Sequence, residues 1–251
     1  MELFDILVLA VVQGLTEFLP VSSKTHLLFA QLLLGRQPDL ALTVVMHAGS
    51  LLAILVYYGR AWIDLLRERR KEILLLALAT LPAVLAAVLF KARLEALYSS
   101  PRLGAGFLLV TAAWLVIADR RGRERHALLE TPLGKILGIG LAQACALLPG
   151  ISRSGATIGA GYLLGLKRED AVRFSFFMGG VAILGALVLK AKDVVRAKDP
   201  VDPVTIALGI AVTFAVSWAA IKVVERLSAK GRFSWFALYC ALAGVAGLIY
   251  F

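Results

Sequence analysis

Charge is scarce in this 251-residue chain: Asp, Glu, Lys and Arg make up 18%, against 60% apolar residues and a mean hydropathy of +0.83. So few charges cannot cover the surface of a soluble domain of this length, and the chain belongs in a bilayer. Cysteine is nearly absent. Cys145 and Cys240 stand far apart inside apolar segments without metal-ligand spacing, which excludes a disulfide framework and a thiolate metal site; both read as small buried residues. Histidine is as rare, with three in the chain and none after Arg153. The first apolar run carries Asp5, Gln13 and Glu17 and lacks a basic n-region, so no cleavable signal peptide is expected.

The formal net charge is +10. The Lys and Arg residues sit in short clusters between apolar runs and not on one amphipathic face. They read as topology signals and headgroup contacts, with the bilayer and not nucleic acid as partner. A spanning helix needs roughly 20 mostly apolar residues. Six runs qualify: Leu40–Tyr58, Ile73–Leu97, Leu103–Ala118, Ala171–Leu189, Val204–Val224 and Phe233–Phe251. Two further stretches are broken near their middles, Glu2–Gly35 at Pro20, Ser22 and Ser23, and Pro132–Gly165 at Pro149, Gly150, Ser152 and Ser154. Proline stops a helix by removing a donor and crowding the preceding turn, and serine caps the helix that follows. Each stretch therefore reads as a re-entrant helical hairpin.

The two breaks are alike. QGLTEFLPVSS from Gln13 parallels QACALLPGISRS from Gln143, and MHAGSLLAIL from Met46 parallels MGGVAILGAL from Met178, at an offset of about 130 residues. Residues 1–118 and 132–251 read as two related halves of a single membrane domain, each a hairpin followed by three spans. An odd number of spans per half turns the second half upside down. The expected fold is thus an all-α integral membrane protein: six transmembrane helices plus two re-entrant hairpins in an inverted-topology repeat. Short cytoplasmic loops collect Lys and Arg. Entry of the first hairpin from outside puts Arg60, Arg67, Arg69, Arg70, Lys71, Arg120, Arg121, Arg123, Arg125, Lys167, Arg168, Arg226, Lys230 and Arg232 inside. Arg36, Lys91, Arg93, Arg102, Lys190, Lys192, Arg196 and Lys198 then face outside, so the bias favours both termini outside.

Broken backbone at membrane depth is tolerated where protein or a water-filled cavity satisfies it, and two breaks related by an inverted repeat should meet near the midplane. The helices that start after Ser22 and Ser23 and after Ser152–Ser154 would turn free N–H groups and positive dipole ends into that centre, which suits phosphate. Arg153 fits, because a guanidinium in an apolar stretch is costly unless it holds a phosphate or a carboxylate. Pairing with Glu17 to lock the hairpins together is the competing, structural reading. Ser152, Ser154 and Thr157, in SRSGAT, read as phosphate contacts in preference to plain caps. Glu17 lies four positions after Gln13 on one helix face. A carboxylate beside a diphosphate repels it unless Mg²⁺ or Ca²⁺ bridges the two or the carboxyl works as a general acid or base. His26, within a turn of Ser23, is a candidate base or nucleophile. His47 lies inside a span, where bonding to a neighbouring helix is favoured over packing against the site, and His126 falls in a basic loop.

These residues carry a family resemblance. QGLTEFLPVSSKTHLL resembles the first motif of the bacterial undecaprenyl-diphosphate phosphatases, the bacitracin-resistance family, and LLPGISRSGATIGAGYLLGLKREDAVRFSF resembles the second. The similarity runs through MHAGSLLAIL and over nearly the whole chain. It implies hydrolysis of undecaprenyl diphosphate to the monophosphate with a divalent metal, recycling the carrier lipid of bacterial wall synthesis. It also implies a multi-pass protein of the plasma (inner) membrane whose site opens to the outer, periplasmic side. Carried over by position, metal binding falls on Gln13 and Glu17, catalysis on Glu17, Ser22, Ser23, His26 and Arg153, and phosphate contact on Lys24, Ser152, Arg153, Ser154 and Thr157. Whether a serine, the histidine or a water attacks phosphorus stays open. The favoured arrangement is Ser23 as nucleophile with His26 assisting, Glu17 and Gln13 on the metal, and Arg153 with Ser152 and Ser154 stabilising transition-state charge.

Three departures mark this chain. Lys24 and Thr25 replace the usual threonine and glycine of SSTGH, and Lys24 either adds a phosphate contact or alters the turn. Gln13 stands where many members have glutamate, and MGGVAILGA from Met178 lacks a proline common there. Other phosphatase classes are excluded: there is no GxxxxGKS loop, no C-x5-R spacing, and no histidine after Arg153 to serve the acid-phosphatase type. The remaining rival is a transporter or flippase of polyprenyl phosphate lipids, which an inverted repeat would serve equally. Clustering of Glu17, His26 and the serine pair beside Arg153 favours catalysis. The isoprenoid is expected in a groove lined by residues such as Phe174, Phe176, Phe177 and Trp218. Gly159, Ala160 and Gly161 allow close helix packing and could equally mark an interface between hairpins, and whether the chain forms a homodimer is left open.

Overall fold

The computed structural model describes residues 3–37, 40–195 and 202–251; Glu2, Arg196 and Lys198 of the sequence reading lie outside them. Helix follows helix, and no strand occurs among the described residues. The first hairpin is α1 (Leu3–Phe18) and α2 (Ser23–Leu33). It is followed by α3 (Leu40–Tyr57), α4 (Gly59–Glu68), α5 (Arg70–Leu89), α6 (Lys91–Tyr98) and α7 (Pro101–Arg121). A short 3₁₀ turn, Leu128–Glu130, leads to the second hairpin, α8 (Leu133–Cys145) and α9 (Arg153–Leu164), and then to α10 (Arg168–Val195), α11 (Pro203–Ala229) and α12 (Trp235–Tyr250).

Local chemistry sets these bounds. Pro101 and Pro203 open α7 and α11 behind Ser100 and Asp202, whose side chains accept the Leu103 and Thr205 N–H groups at 3.4 and 2.9 Å. Pro20 separates α1 from α2, and Ser22 in the gap takes a left-handed φ of 71°. The gap between α8 and α9 is held by α7: Thr111 Oγ1 donates to the Gly150 carbonyl at 2.8 Å and accepts the Ser152 N–H at 3.2 Å. One hydroxyl thus satisfies two backbone groups that lipid could not.

Among the described residues, four helical segments are long and apolar enough to cross a membrane alone: Arg70–Leu89, Pro101–Arg121, Arg168–Leu189 and Pro203–Ala229. Val45–Tyr57 and Gly59–Glu68, bent by 74° at their junction, make a fifth if taken together. Leucine, valine and isoleucine side chains on α5, α10 and α12 face outward, as lipid contact requires. The protein is therefore an all-α, multi-pass membrane protein. Two expected spans are shorter than read from the sequence. Ile73–Leu97 stops at Leu89, because Lys91, Arg93 and Glu95 form a separate helix with no buried residue, and α12 has 16 residues.

The first helix of each hairpin packs on a long helix from the other half of the chain, α1 on α11 and α8 on α5. Phe174, Phe176 and Phe177 do not line a groove: they lie in the main apolar core with Phe18, Leu115 and Ile158. Gly159 and Gly161 are buried against Trp114 and Ala171 of the same chain. Cys240 is buried but Cys145 is exposed, contrary to its apolar setting in sequence. Asp5 pairs with Arg36 at 2.7 Å and ties the beginning of α1 to the end of the hairpin.

Candidate active site

Glu17, in the last turn of α1, is buried, and four elements reach its carboxylate. Gln13 Nε2, one turn earlier on α1, donates to Oε2 at 3.1 Å, and Ser23 Oγ, at the start of α2, donates to the same oxygen at 2.8 Å. His47 Nε2 of α3 lies 3.4 Å from Oε2, while Arg153 Nη2, at the start of α9, donates to Oε1 at 2.9 Å. Both helix starts that follow the breaks therefore meet at one carboxylate.

His47 and Arg153 are each fixed by a further contact. His47 Nδ1 is 2.6 Å from the Thr43 carbonyl, a bond that requires the proton on Nδ1 and turns Nε2 toward Glu17. Arg153 Nη1 donates to the Ser175 carbonyl at 3.1 Å. Position 179 must be glycine for this pose, because a Cβ there would lie 2.0 Å from Nη1. Thr157 Oγ1 bonds Ser175 Oγ at 2.6 Å, and Ser154 Oγ donates to the Leu19 carbonyl at 3.1 Å, joining the second hairpin to the first. Ser152 Oγ caps α9 through the Gly155 N–H at 3.1 Å and lies 3.3 Å from Ser154 Oγ.

Behind Gln13 a hydroxyl chain runs into α11: Gln13 Nε2 is 3.5 Å from Ser50 Oγ, and Ser50 Oγ is 3.0 Å from Ser217 Oγ. Gln13 Oε1 is buried without a hydrogen-bond partner among the described residues. A buried acceptor left unpaired costs roughly 1–3 kcal/mol. Such an oxygen beside a carboxylate is what a divalent cation would use. No group of three His, Cys, Asp or Glu side chains able to hold an ion occurs among the described residues, so most of such a cation's ligands would have to come from phosphate oxygens and water.

Of the sequence-derived candidates, Gln13, Glu17, Ser23 and Arg153 come together, while the hydroxyls of Ser152, Ser154 and Thr157 bond the Gly155 N–H, the Leu19 carbonyl and Ser175 around the start of α9. Three others point elsewhere. His26 has Nδ1 2.9 Å from the Ser22 carbonyl and Nε2 2.9 Å from the Tyr239 hydroxyl, and it stacks on the Tyr239 ring toward α12. Ser22 Oγ donates to Thr25 Oγ1 at 3.4 Å. Lys24 is exposed and reaches Tyr98. The imidazole beside Glu17 is that of His47, for which the sequence favoured bonding to a neighbouring helix over packing against the site; its contact with Glu17 on α1 does both.

A buried glutamate–arginine pair ringed by hydroxyls, where two broken hairpins meet, defines a multi-pass membrane protein with a polar centre suited to phosphate. Residues 6–246 match the family described as bacitracin resistance protein BacA, and the chain belongs to that family. It is 40% identical over 248 residues to the undecaprenyl-diphosphatase of Rhodopirellula baltica, covering 97% of this chain and 96% of that one. The undecaprenyl-diphosphatase of Alcanivorax borkumensis is 40% identical over 264 residues, covering 100% and 99% of the two chains. That of Methanobrevibacter smithii is 36% identical over 267 residues, covering 98% and 96%.

Proposed function

We propose that this chain hydrolyses undecaprenyl diphosphate to the monophosphate and inorganic phosphate, recycling the carrier lipid of wall synthesis and so supporting bacitracin resistance. The observation that carries the reading is Glu17, which accepts from Ser23 on one oxygen and from Arg153 on the other. The ion pair is the resting state. A guanidinium prefers a phosphate it can grip bidentately, so incoming diphosphate draws Arg153 off Glu17 and frees the carboxylate to act as a base. Ser23 Oγ attacks the terminal phosphorus as its proton passes to Glu17. The bond from that phosphorus to the bridging oxygen breaks, and the electron pair leaves on the polyprenyl monophosphate. Glu17 passes its proton to the departing monophosphate; water then attacks the phosphoserine, giving its hydroxyl to phosphorus and its proton to Ser23 Oγ by way of Glu17, which releases inorganic phosphate and restores both the Ser23 hydroxyl and the Glu17 carboxylate. Arg153 offsets the charge on the transferring phosphoryl group, with Ser152, Ser154 and Thr157 supporting it. His47, with Nδ1–H on the Thr43 carbonyl, holds Glu17 in place as the imidazolium, whose Nε2–H faces Oε2.

Gln13 Oε1 and Glu17 would hold Mg²⁺ or Ca²⁺, which when bound neutralises charge on the diphosphate. The full architecture proposed is six spans plus two re-entrant hairpins in an inverted repeat, supported by the reciprocal packing of α1 on α11 and α8 on α5. The site opens to the outer face of the bacterial plasma membrane, in line with exposed Lys24 beside Tyr98, at the basic segment that the charge bias puts outside.

Phosphate release from undecaprenyl diphosphate tests this, first in detergent with Mg²⁺, Ca²⁺ or a chelator, then in oriented vesicles with substrate added to either face. Native protein should turn over with metal and with outside substrate, and Ser23→Ala should lose at least about a hundredfold. No release by folded native protein would overturn the hydrolase reading in favour of a lipid-phosphate carrier.

A further inference from the structure

The first break reads LPVSSKT and the second LPGISRS, so aligning their Leu-Pro steps sets Ser23 against Ser152 and Lys24 against Arg153. Both cations stand in the first turn of the helix that leaves the break, since α2 begins at Ser23 and α9 at Arg153. Their surroundings differ. Arg153 is bonded to Glu17, whereas Lys24 is exposed and makes no ion pair among the described residues. Lys24 Nζ donates to the Tyr98 hydroxyl at 2.8 Å and lies 4.5 Å from the centroid of the same ring. The Tyr98 hydroxyl donates onward to the Leu147 carbonyl at 2.5 Å, just before the second break. One phenol at the end of α6 therefore touches the first residues of α2 and the approach to α9.

We propose that Lys24 captures the terminal phosphate of the lipid diphosphate at the mouth of the site and that Tyr98 is its positioning residue. This rests on the hydrolase reading above. A neutral phenol holds an ammonium more weakly than a phosphate does, because charge-assisted hydrogen bonds are roughly twice as strong as those between neutral groups. Lys24 is therefore kept oriented yet free to exchange partners. Ser23 and Lys24 share the first turn of α2, and Tyr98 ties that turn to Leu147 before the second break, so a lysine that leaves Tyr98 is placed to turn to the free oxygens of the phosphate that Ser23 attacks. The monophosphate product has lost that group, and Lys24 thereby favours substrate over product.

Steady-state phosphate release in detergent tests the proposal with Lys24→Met, Tyr98→Leu, the double variant and Lys24→Arg, using undecaprenyl diphosphate as substrate and undecaprenyl phosphate as inhibitor. Lys24→Met and Tyr98→Leu should each raise KM on the order of tenfold, with a smaller fall in kcat, and leave inhibition by the monophosphate nearly as it was. The double variant should be no worse than Lys24→Met, and Lys24→Arg should restore most of the loss. A native KM in Lys24→Met would overturn the proposal. A Tyr98→Leu penalty that persists in full when Lys24 is already Met would assign Tyr98 to the Leu147 carbonyl alone and overturn its positioning role. Absence of release by native protein would instead remove the hydrolase reading on which the proposal stands.

Discussion

Glu17 and Arg153 are ionised side chains in an apolar interior, where removing one partner of a buried pair costs about 3–5 kcal/mol. That expense made both residues visible in the sequence, and the structure brings them to 2.9 Å of each other. Arg153 stays in place because α10 leaves it room at Gly179. Gly179→Ala would put a methyl carbon 2.0 Å from Nη1 and push the guanidinium off its line to Glu17 and phosphate. A displacement of about 1 Å at a reacting group costs on the order of a hundredfold in rate. Gly179→Ala should show that loss of phosphate release, while Gly185→Ala, on the same helix with open space around it, should not. Equal activity of the two variants would show that Arg153 needs no such room. For His47 the sequence left contact with the site as the less favoured of two readings, because a histidine inside an apolar helix does not declare which neighbour its face meets. The repeat held a clue: the offset that pairs Met46 with Met178 also pairs His47 with Gly179. One half supplies an imidazole at that position and the other supplies space. His26 illustrates the opposite failure, since nearness to Ser23 in sequence did not prevent its ring from turning to Tyr239.

At the scale of elements, the two breaks were legible because proline and serine have fixed effects on a helix wherever they stand. What holds the second break could not be read. It depends on Thr111, 41 residues before Ser152, and on the close approach of Gly150 to α7. Gly150 has φ +84°, and a Cβ there would fall 2.2 Å from the Gly104 carbonyl oxygen. Gly150→Ala should therefore combine left-handed strain with a backbone clash and destabilise the fold by more than about 2 kcal/mol. Thermal unfolding in detergent would read this as a lower midpoint, and an unchanged midpoint would mean that the break is looser than described. The end of α5 was missed for another reason. Averaged over Ile73–Leu97 the stretch is apolar, but Lys91, Arg93 and Glu95 fall within three turns at one end and belong at an interface, where α6 forms.

Across the whole molecule the site belongs to neither end of the chain alone. Glu17, Ser23 and His47 come from α1, α2 and α3, while Arg153 and the Ser175 carbonyl that steadies it come from α9 and α10. A single carboxylate gathers all of these except Ser175, so in the proposed mechanism binding of phosphate by Arg153 and activation of Ser23 through Glu17 would be one event. Groups that act as a unit give losses that do not multiply. The most direct test is kcat/KM for undecaprenyl diphosphate in Glu17→Gln, Arg153→Ala and the double variant, each checked for native-like folding. Each single change should lower kcat/KM by on the order of a hundred- to a thousandfold, with the double no worse than the poorer single. Losses that multiply, or turnover near native in either single variant, would contradict a shared phosphoryl-transfer centre.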